Sequence, residues 1–564
     1  MFSLIWFLAR PFWPLLILVL LVNAVVPEAS YENLQQEAEA AAEAGQYGQA
    51  RRAYEELLDG HPHNIEYHRG YLRNHFRVPK RTGRHTTRDD KAPRNRYERL
   101  AASGDARLAD IGRYGLGFYH VQEDRYEAAL EWYLKINRQD QPFVNNSVGH
   151  VLMQLGRLDD AEARFLRELE IDGNRSGAWS NLSRIYDERS DFDSIERLLG
   201  DPAAAEHVSS RLARKIHYVR GHWVDYLVIA LRPSGYSVVG VAVSLLITAA
   251  WFVWLRKLDV YEPEDVRHKL AVLGGAFLLT ETAAPLLYDF YAFTLGFDLE
   301  GGALSDLLFS IFGIGLIEES IKIVPVLIVI KFSKIIDESV DYVVYASVAA
   351  LGFALAENIG YLSPAGLDNI FGRAVSATVA HMALSTFAVS GYLYVKFSPY
   401  FGREGSPGIL SIAVTRPLIP PSESRLKFLS YLYVSLGFAA ACLLHGVYDF
   451  FLVTDGFWGE LAIASFLVLV LKINLYNKMI RNALNRSEFY DAKRGRSVQM
   501  FAYITRSFLV ILSAQYGLMA AYHGPTLANY DLLATVMFSW FLMAFLLASL
   551  GVFEIEKGEW YSPI

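Results

Sequence analysis

Two adjacent carboxylates and a lysine stand where hydrocarbon is expected. The stretch Gly313-Ile-Gly-Leu-Ile-Glu318-Glu319-Ser-Ile-Lys322-Ile-Val-Pro325 lies inside an apolar run from Leu307 to Ile330. A charge at mid-bilayer costs at least ~2.5 to 3.5 kcal/mol on insertion scales, so function is the default reading of such residues. On a helix, Glu318 and Lys322 share a face at i, i+4, while Glu319 points roughly 100° away. One carboxylate can pair with the lysine; the other needs another partner. A structural ion pair holding a bundle together is the simpler account of this stretch taken alone.

Three further apolar runs carry candidate partners. They are Gly352-Phe-Ala-Leu-Ala-Glu357-Asn358, Val379-Ala-His381 with Ser385 and Thr386, and His445-Gly-Val-Tyr448-Asp449. His445 and Asp449 are i, i+4, and a carboxylate one turn from a histidine can fix its tautomer and raise its basicity. Hydrolysis of a peptide bond needs an activated water and groups that stabilise the developing oxyanion. Glutamate, histidine and asparagine supply both. Two chemistries are open: a metal such as zinc held by His381, His445 and a glutamate (Glu318) with another glutamate as base, or a metal-free site in which Glu318 or Glu319 deprotonates water directly. No His-Glu-x-x-His motif occurs to favour zinc.

The order of Leu258-Asp-Val-Tyr-Glu-Pro263, Glu318-Glu319-x-x-Lys322, Gly352-Phe-Ala-x-x-Glu357-Asn358, His381 and His445-Gly-x-Tyr-Asp449 resembles the PrsW-type intramembrane protease family, itself distantly similar to CAAX prenyl endopeptidases. The resemblance covers about Tyr236 to Leu475. It implies site-specific cleavage of membrane-protein substrates; in bacteria, anti-sigma factors are one such substrate. By motif it carries catalytic status onto Glu318, Glu319, His381 and His445, with Lys322, Glu357, Asn358 and Asp449 in support.

These residues must be positioned by membrane-spanning helices. Nine apolar runs are each long enough to span ~30 Å of hydrocarbon: Ser237–Leu255, Leu270–Leu295, Leu307–Ile330, Val340–Leu362, Phe371–Val395, Leu429–Val453, Gly456–Leu475, Phe508–Tyr522 and Leu532–Phe553. Lys and Arg crowd alternate loops, at Arg256 to Lys269, Lys331 to Lys334, Lys396 to Lys427 and Lys478 to Arg506, which makes those loops and the C-terminus cytoplasmic. The intervening loops at 296–306, 363–370 and Thr454-Asp455 are short and carry acid or nothing. Counted from the outer ends, Glu357 lies ~6 to 8 Å deep, His381 and His445 ~12 to 15 Å, and Glu318 ~17 to 20 Å, so the groups can meet in the outer half. Glu357 is the shallowest and reads as an entrance or supporting residue. Glu281 and Asp289 are two more acids in apolar surroundings, with a hydrogen bond to a neighbouring helix or an interface position as their plain reading.

The rest of the chain is organised differently. Residues 1–26, with Arg10 before an apolar run, read as a signal peptide or signal anchor, its length favouring the anchor. Residues 31–220 form a soluble helical region in which a unit recurs: Gly45-Gln-Tyr47 with Ala50 and Tyr54, Asp124-Arg-Tyr126 with Ala129 and Tyr133, Gly156-Arg-Leu158 with Ala161 and Phe165, and, more faintly, Ser190-Asp-Phe192 with Ile195. The last three start 32 and 34 residues apart, the period of a tetratricopeptide-type helix pair, interrupted by a basic loop at Arg77 to Arg96. Such arrays bind peptides or proteins, although a helical spacer is an equal reading.

With 52% hydrophobic and 20% charged residues, the chain combines soluble and membrane parts. A net charge of -7 without a basic stripe excludes a nucleic-acid surface. The single cysteine, Cys442, rules out an intrachain disulfide. The expected fold is all-α: a polytopic transmembrane bundle with an extracytoplasmic tetratricopeptide-like solenoid. The expected domains are 1–26, 31–220, a protease core at 236–475, and a basic loop with additional helices at 476–564. The topology suits a bacterial inner membrane. Two other functions compete with the peptidase: an ion- or proton-coupled transporter, since buried Glu and His also relay protons, and an inactive scaffold whose repeats bind peptides.

Overall fold

The computed structural model describes residues 13–26, 34–43, 47–77, 91–232, 236–299, 302–362, 364–397, 423–453, 462–490 and 497–561. Arg10, Gly45, most of the basic loop after Arg77, most of the Lys396 to Lys427 loop and the Thr454-Asp455 loop lie outside these residues. Apart from one short antiparallel pair, Ser497–Gln499 with Val552–Glu554, the described structure is helical. It separates into two compact units, one of residues 30–230 and one of residues 1–29 with 231–564.

In the 30–230 unit most helices pack on their neighbours in sequence, while Ile65–Arg77 packs on Ala106–Gln122 beyond the next helix. Small residues accept large ones where helices meet. A side chain at Gly117 would collide with the Tyr133 ring at 2.5 Å, and one at Gly149 with the Phe165 ring at 2.7 Å. Both pairs are separated by the same number of residues, so one packing device is used twice. Tyr133 and Phe165 are thereby fully enclosed, as are Ala129 and Ala161.

The second unit holds seven helices long and apolar enough to cross a membrane among the described residues: Val238–Leu258, Val266–Thr294, Ser339–Tyr361, Tyr431–Leu452, Ile463–Arg486, Phe501–His523 and Pro525–Leu550. The other two of the nine apolar runs are broken. Leu307–Ile330 begins in the helix Ala303–Leu308, winds as a π-helix over Phe309–Gly315, and continues as the α-helix Leu316–Phe332. Phe371–Val395 likewise contains a π-turn, Arg373–Ala377, before the α-helix Thr378–Ala388. Hydropathy alone does not register such breaks, because a π-turn changes backbone hydrogen bonding and not composition. The eighth run, short at Phe508–Tyr522, becomes a full helix of 23 residues because Phe501 to Ser507 continue it despite Arg506.

Ser339–Tyr361 runs through the middle of this unit, with its whole apolar window buried. It packs on Val238–Leu258, Val266–Thr294 and Thr378–Ala388. Ala346, Ser347, Ala349, Ala350, Gly352 and Ala354 line it, and small side chains let neighbouring backbones approach where hydrocarbon offers no hydrophobic driving force. The N-terminal helix Trp13–Val25 belongs to the same unit, where Asn23 exchanges hydrogen bonds with Asn529 and donates to the Tyr516 hydroxyl at 3.0 Å.

Candidate active site

Both broken runs carry site residues beyond the π-turn, Glu318 and Glu319 after the first and His381 after the second. A π-turn adds a residue to the backbone ring and re-aims the side chains beyond it, and such turns recur at functional sites. The first π-segment, Phe309–Gly315, meets Glu423–Val453 at two glycines. A Cβ on Gly315 would lie 2.6 Å from the Cys442 carbonyl oxygen, and one on Gly446 would lie 2.4 Å from the Ile311 Cα. Only glycine allows that approach. His445, beside Gly446, is thereby pressed against the glutamates.

Lys322 is the centre of the network and wholly buried. Its Nζ donates to Glu319 Oε1 at 2.9 Å and to His381 Nδ1 at 2.9 Å, reaches Glu318 Oε2 at 3.5 Å, and sits 4.1 Å above the Phe353 ring centroid. The closer pairing is thus with Glu319 at i, i+3 and not with Glu318, since both spacings bring side chains together on a helix. An ammonium can only donate, so His381 Nδ1 accepts and Nε2 carries the proton. Nε2 lies 2.8 Å from Glu357 Oε2 and donates to it. Arg373 holds Glu357 in turn, at 2.9 Å, and also donates to Asn358 Oδ1 at 2.7 Å. The Asn358 amide reaches the Thr378 hydroxyl at 3.3 Å. Glu357 therefore touches His381 directly.

His445 completes the other side. Its Nδ1 is 2.7 Å from Glu319 Oε1, while Nε2 faces Glu318 Oε2 at 3.3 Å and Asp449 Oδ2 at 3.2 Å. A lone pair on Nε2 would point at two carboxylates, so that position calls for a proton or a cation. The two imidazoles lie edge to face with centroids 5.5 Å apart. Glu318 also accepts from the Tyr288 hydroxyl at 3.0 Å. Glu318 is 7% exposed and Glu319 is 0% exposed, with Glu319 Oε2 left without a partner. The paired carboxylates thus differ in accessibility.

All eight residues singled out by sequence, Glu318, Glu319, Lys322, Glu357, Asn358, His381, His445 and Asp449, fall into this one network. Ser385 and Thr386 do not: Thr386 pairs with Ser347, and the Ser385 hydroxyl has no partner. Glu281 accepts from the hydroxyl of Tyr236, which lies just before Val238–Leu258. Three participants were missed. Arg373 and Lys472 each gave a signal, a basic residue inside an apolar run; Tyr288 gave none. Lys472 is buried, its Nζ has no hydrogen-bond partner, and it stands 3.8 Å from the centroid of Tyr448, the neighbour of Asp449.

The donors suit a transition metal. Glu318, His381 and His445 offer a carboxylate and two imidazoles with ligand atoms within 4.8 Å of one another, the set that holds zinc in several hydrolases. His445 Nε2 faces acceptors only. His381 joins such a set by releasing either Lys322 or Glu357.

Residues 262–475 match the PrsW family intramembrane metalloprotease. Among curated proteins, the chain is similar to Protease PrsW of Clostridioides difficile strain 630, 28% identical over 231 residues, 39% of this chain and 82% of that protein. It is 29% identical over 238 residues to Protease PrsW of Oceanobacillus iheyensis, 42% of this chain and 91% of that protein. Against Protease PrsW of Bacillus subtilis strain 168 it is 27% identical over 200 residues, 36% of this chain and 76% of that protein. These matches support PrsW kinship and a peptidase. With seven apolar helices, they point to an integral membrane protein.

The glycine crossing gives a direct test. Gly446→Val places a branched side chain against the Ile311 backbone, and overpacking of this kind costs about 1 to 3 kcal/mol. The variant is expected to unfold several degrees below wild type in detergent. Gly48→Ala, where no atom lies within 4 Å of the added Cβ, should unfold at or slightly above the wild-type temperature.

Proposed function

We propose that this protein is an intramembrane endopeptidase, with Glu318 as the general base that activates water. The supporting observation is the inequality of the paired glutamates: Glu319 is sealed between Lys322 and His445, whereas Glu318 keeps some access and is oriented by Tyr288. Glu318 takes a proton from water as the water oxygen bonds to the scissile carbonyl carbon. The carbonyl electron pair moves onto oxygen, where His445 Nε2–H, held by Glu319 and Asp449, stabilises it. The proton on Glu318 passes to the amide nitrogen as the C–N bond breaks, leaving a carboxylic acid and an amine, which then exchange a proton to become carboxylate and ammonium. Lys322 neutralises the pair of glutamates, and Glu357 with Arg373 fixes His381. In the alternative zinc form, Glu318, His381 and His445 would hold the ion, which would polarise the carbonyl and make the water more acidic, and another glutamate would be the base.

The substrate class proposed is a membrane protein, with bacterial anti-sigma factors as one expected example. The helical unit at 30–230 is proposed to be a tetratricopeptide-like array outside the cytoplasm that selects substrates by peptide contacts, in a protein of the bacterial inner membrane with its C-terminus cytoplasmic. The repeating Gly117/Tyr133 and Gly149/Phe165 contacts support the array. The Lys- and Arg-rich loops support the orientation. A transporter reading has less support, because the sequence shows no inverted repeat of broken helices between its two halves and residues 262–475 match a protease family.

Glu318→Gln keeps the shape of the side chain and removes the basic oxygen. Cleavage of a transmembrane peptide by the purified variant should fall ~10² to 10⁴-fold with normal membrane accumulation. Near-normal cleavage by the Glu318→Gln, Glu319→Gln double variant would sink the proposed mechanism. If zinc is resident, a chelator should inhibit reversibly and His445→Ala should purify with less than wild-type metal; activity that survives chelation with no stoichiometric metal assigns the metal-free form.

Orientation is tested separately. Single cysteines near Asp172 and near Arg486, in a Cys442→Ser background, should react with impermeant reagent from opposite sides of the membrane. Labelling of both from one side would reverse the assignment of the helical unit.

A further inference from the structure

A second cluster of acids lies at the other end of the central helix. Asp259 and Glu264 come from the connection between Val238–Leu258 and Val266–Thr294; Glu338 caps Ser339–Tyr361, and Asp341 is in its first turn. Asp341 and Glu357 are separated along this helix by ~24 Å at about 1.5 Å per residue, so the cluster is distinct from the Glu318 site. All four carboxylates sit at buried or half-buried positions. Among the described residues, Lys269 is the one basic side chain paired with them, at 2.6 Å from Asp259 Oδ2 and 2.9 Å from Glu264 Oε2. Four acids face one ammonium.

The cluster is also incompletely satisfied. Asp341 Oδ2 accepts from the backbone N–H groups of Asp337 and Glu338, at 3.0 and 2.9 Å, and Glu338 accepts from the Ser487 hydroxyl. Asp259 Oδ1 and Asp341 Oδ1 are buried with no partner. So is the hydroxyl of Tyr345, one turn beyond Asp341, in a side chain that is 0% exposed and within electrostatic reach of Glu264, Asp341 and Asp259. One ligand oxygen each from Asp259, Glu264 and Asp341 lies within 4.8 Å of the others. Three carboxylates repel at that separation, and Lys269 pairs with Asp259 and Glu264 but leaves Asp341 without a basic partner among the described residues.

We propose that Asp259, Glu264 and Asp341 form a structural site for a hard divalent cation, of the Mg²⁺, Mn²⁺ or Ca²⁺ class. Oxygen-only donors select such ions over zinc. The orphaned Asp259 and Asp341 oxygens supply coordination, and the Tyr345 hydroxyl stands ready to bond a water on the ion. The ion ties the connection at 259–264 to the start of the helix that carries Glu357 and Asn358. It gives the Leu258 to Pro263 motif a role that peptide hydrolysis leaves open.

The test uses the full chain in detergent, stripped of metal, with Glu318→Gln and His445→Ala in place so that the first site contributes no binding. Mn²⁺ followed by electron paramagnetic resonance should bind saturably at one equivalent and raise the unfolding temperature by several degrees. Asp341→Asn and, as a second variant, Glu264→Gln should weaken that binding at least tenfold. Metal-free Asp341→Asn should be no less stable than its parent, because a repelling charge has gone. Absence of saturable binding, or binding unchanged in both variants, overturns the proposal. So does a stripped protein that gains stability on acidification and ignores Mn²⁺, which would identify the positive species as a shared proton.

Discussion

One buried ammonium holds the site together. Lys322 has no solvent contact, and its charge is balanced within a few ångströms by Glu319, by Glu318 and by the acceptor nitrogen of His381. Breaking a buried pair by removing one partner leaves an uncompensated charge, at about 3 to 5 kcal/mol, so each member is constrained by the others. The constraint extends outward. Because Lys322 takes His381 Nδ1, His381 must present Nε2–H to Glu357, and Glu357 needs Arg373 to offset its charge. His445 closes the network by bridging Glu319, Glu318 and Asp449.

The backbone is adapted to that network in two ways. Two of the four runs that carry the network contain a π-turn, Phe309–Gly315 before the glutamates and Arg373–Ala377 before His381. Arg373 is itself the first residue of the second turn. At the first, Gly315 and Gly446 allow the helices to cross at backbone contact, which brings His445 within hydrogen-bonding range of Glu319. Without that approach the histidine would stand a side-chain layer further away.

The central helix Ser339–Tyr361 links two different electrostatic solutions. Towards its C-terminal end, Glu357 is matched by a histidine and an arginine, and the charges nearly balance. Around its N-terminus, the acids outnumber Lys269 and leave oxygens unpaired. Small residues between the two ends let three neighbouring helices pack closely on it.

Residue type alone determined much of the site. Carboxylates, histidines and an asparagine in hydrocarbon are costly enough to stand out, and the i, i+4 relation of His445 and Asp449 is a local fact of helix geometry. The all-helical membrane region was equally legible, since spans derive from length and hydropathy. Sequence did not decide which carboxylate takes which partner. By spacing Glu318 was the natural mate of Lys322, yet Glu319 is the closer, because rotamers and the approach of helix Glu423–Val453 choose between i+3 and i+4. The π-turns were invisible for a similar reason: they change backbone hydrogen bonding without changing polarity. Arg373 and Lys472 carried the signal of a cation in an apolar run, but their partners lie on other helices. Local spacing set the chemistry on each helix; only packing at glycine contacts decided how those helices meet, because pairing energies between distant residues exist only once the backbones are brought together.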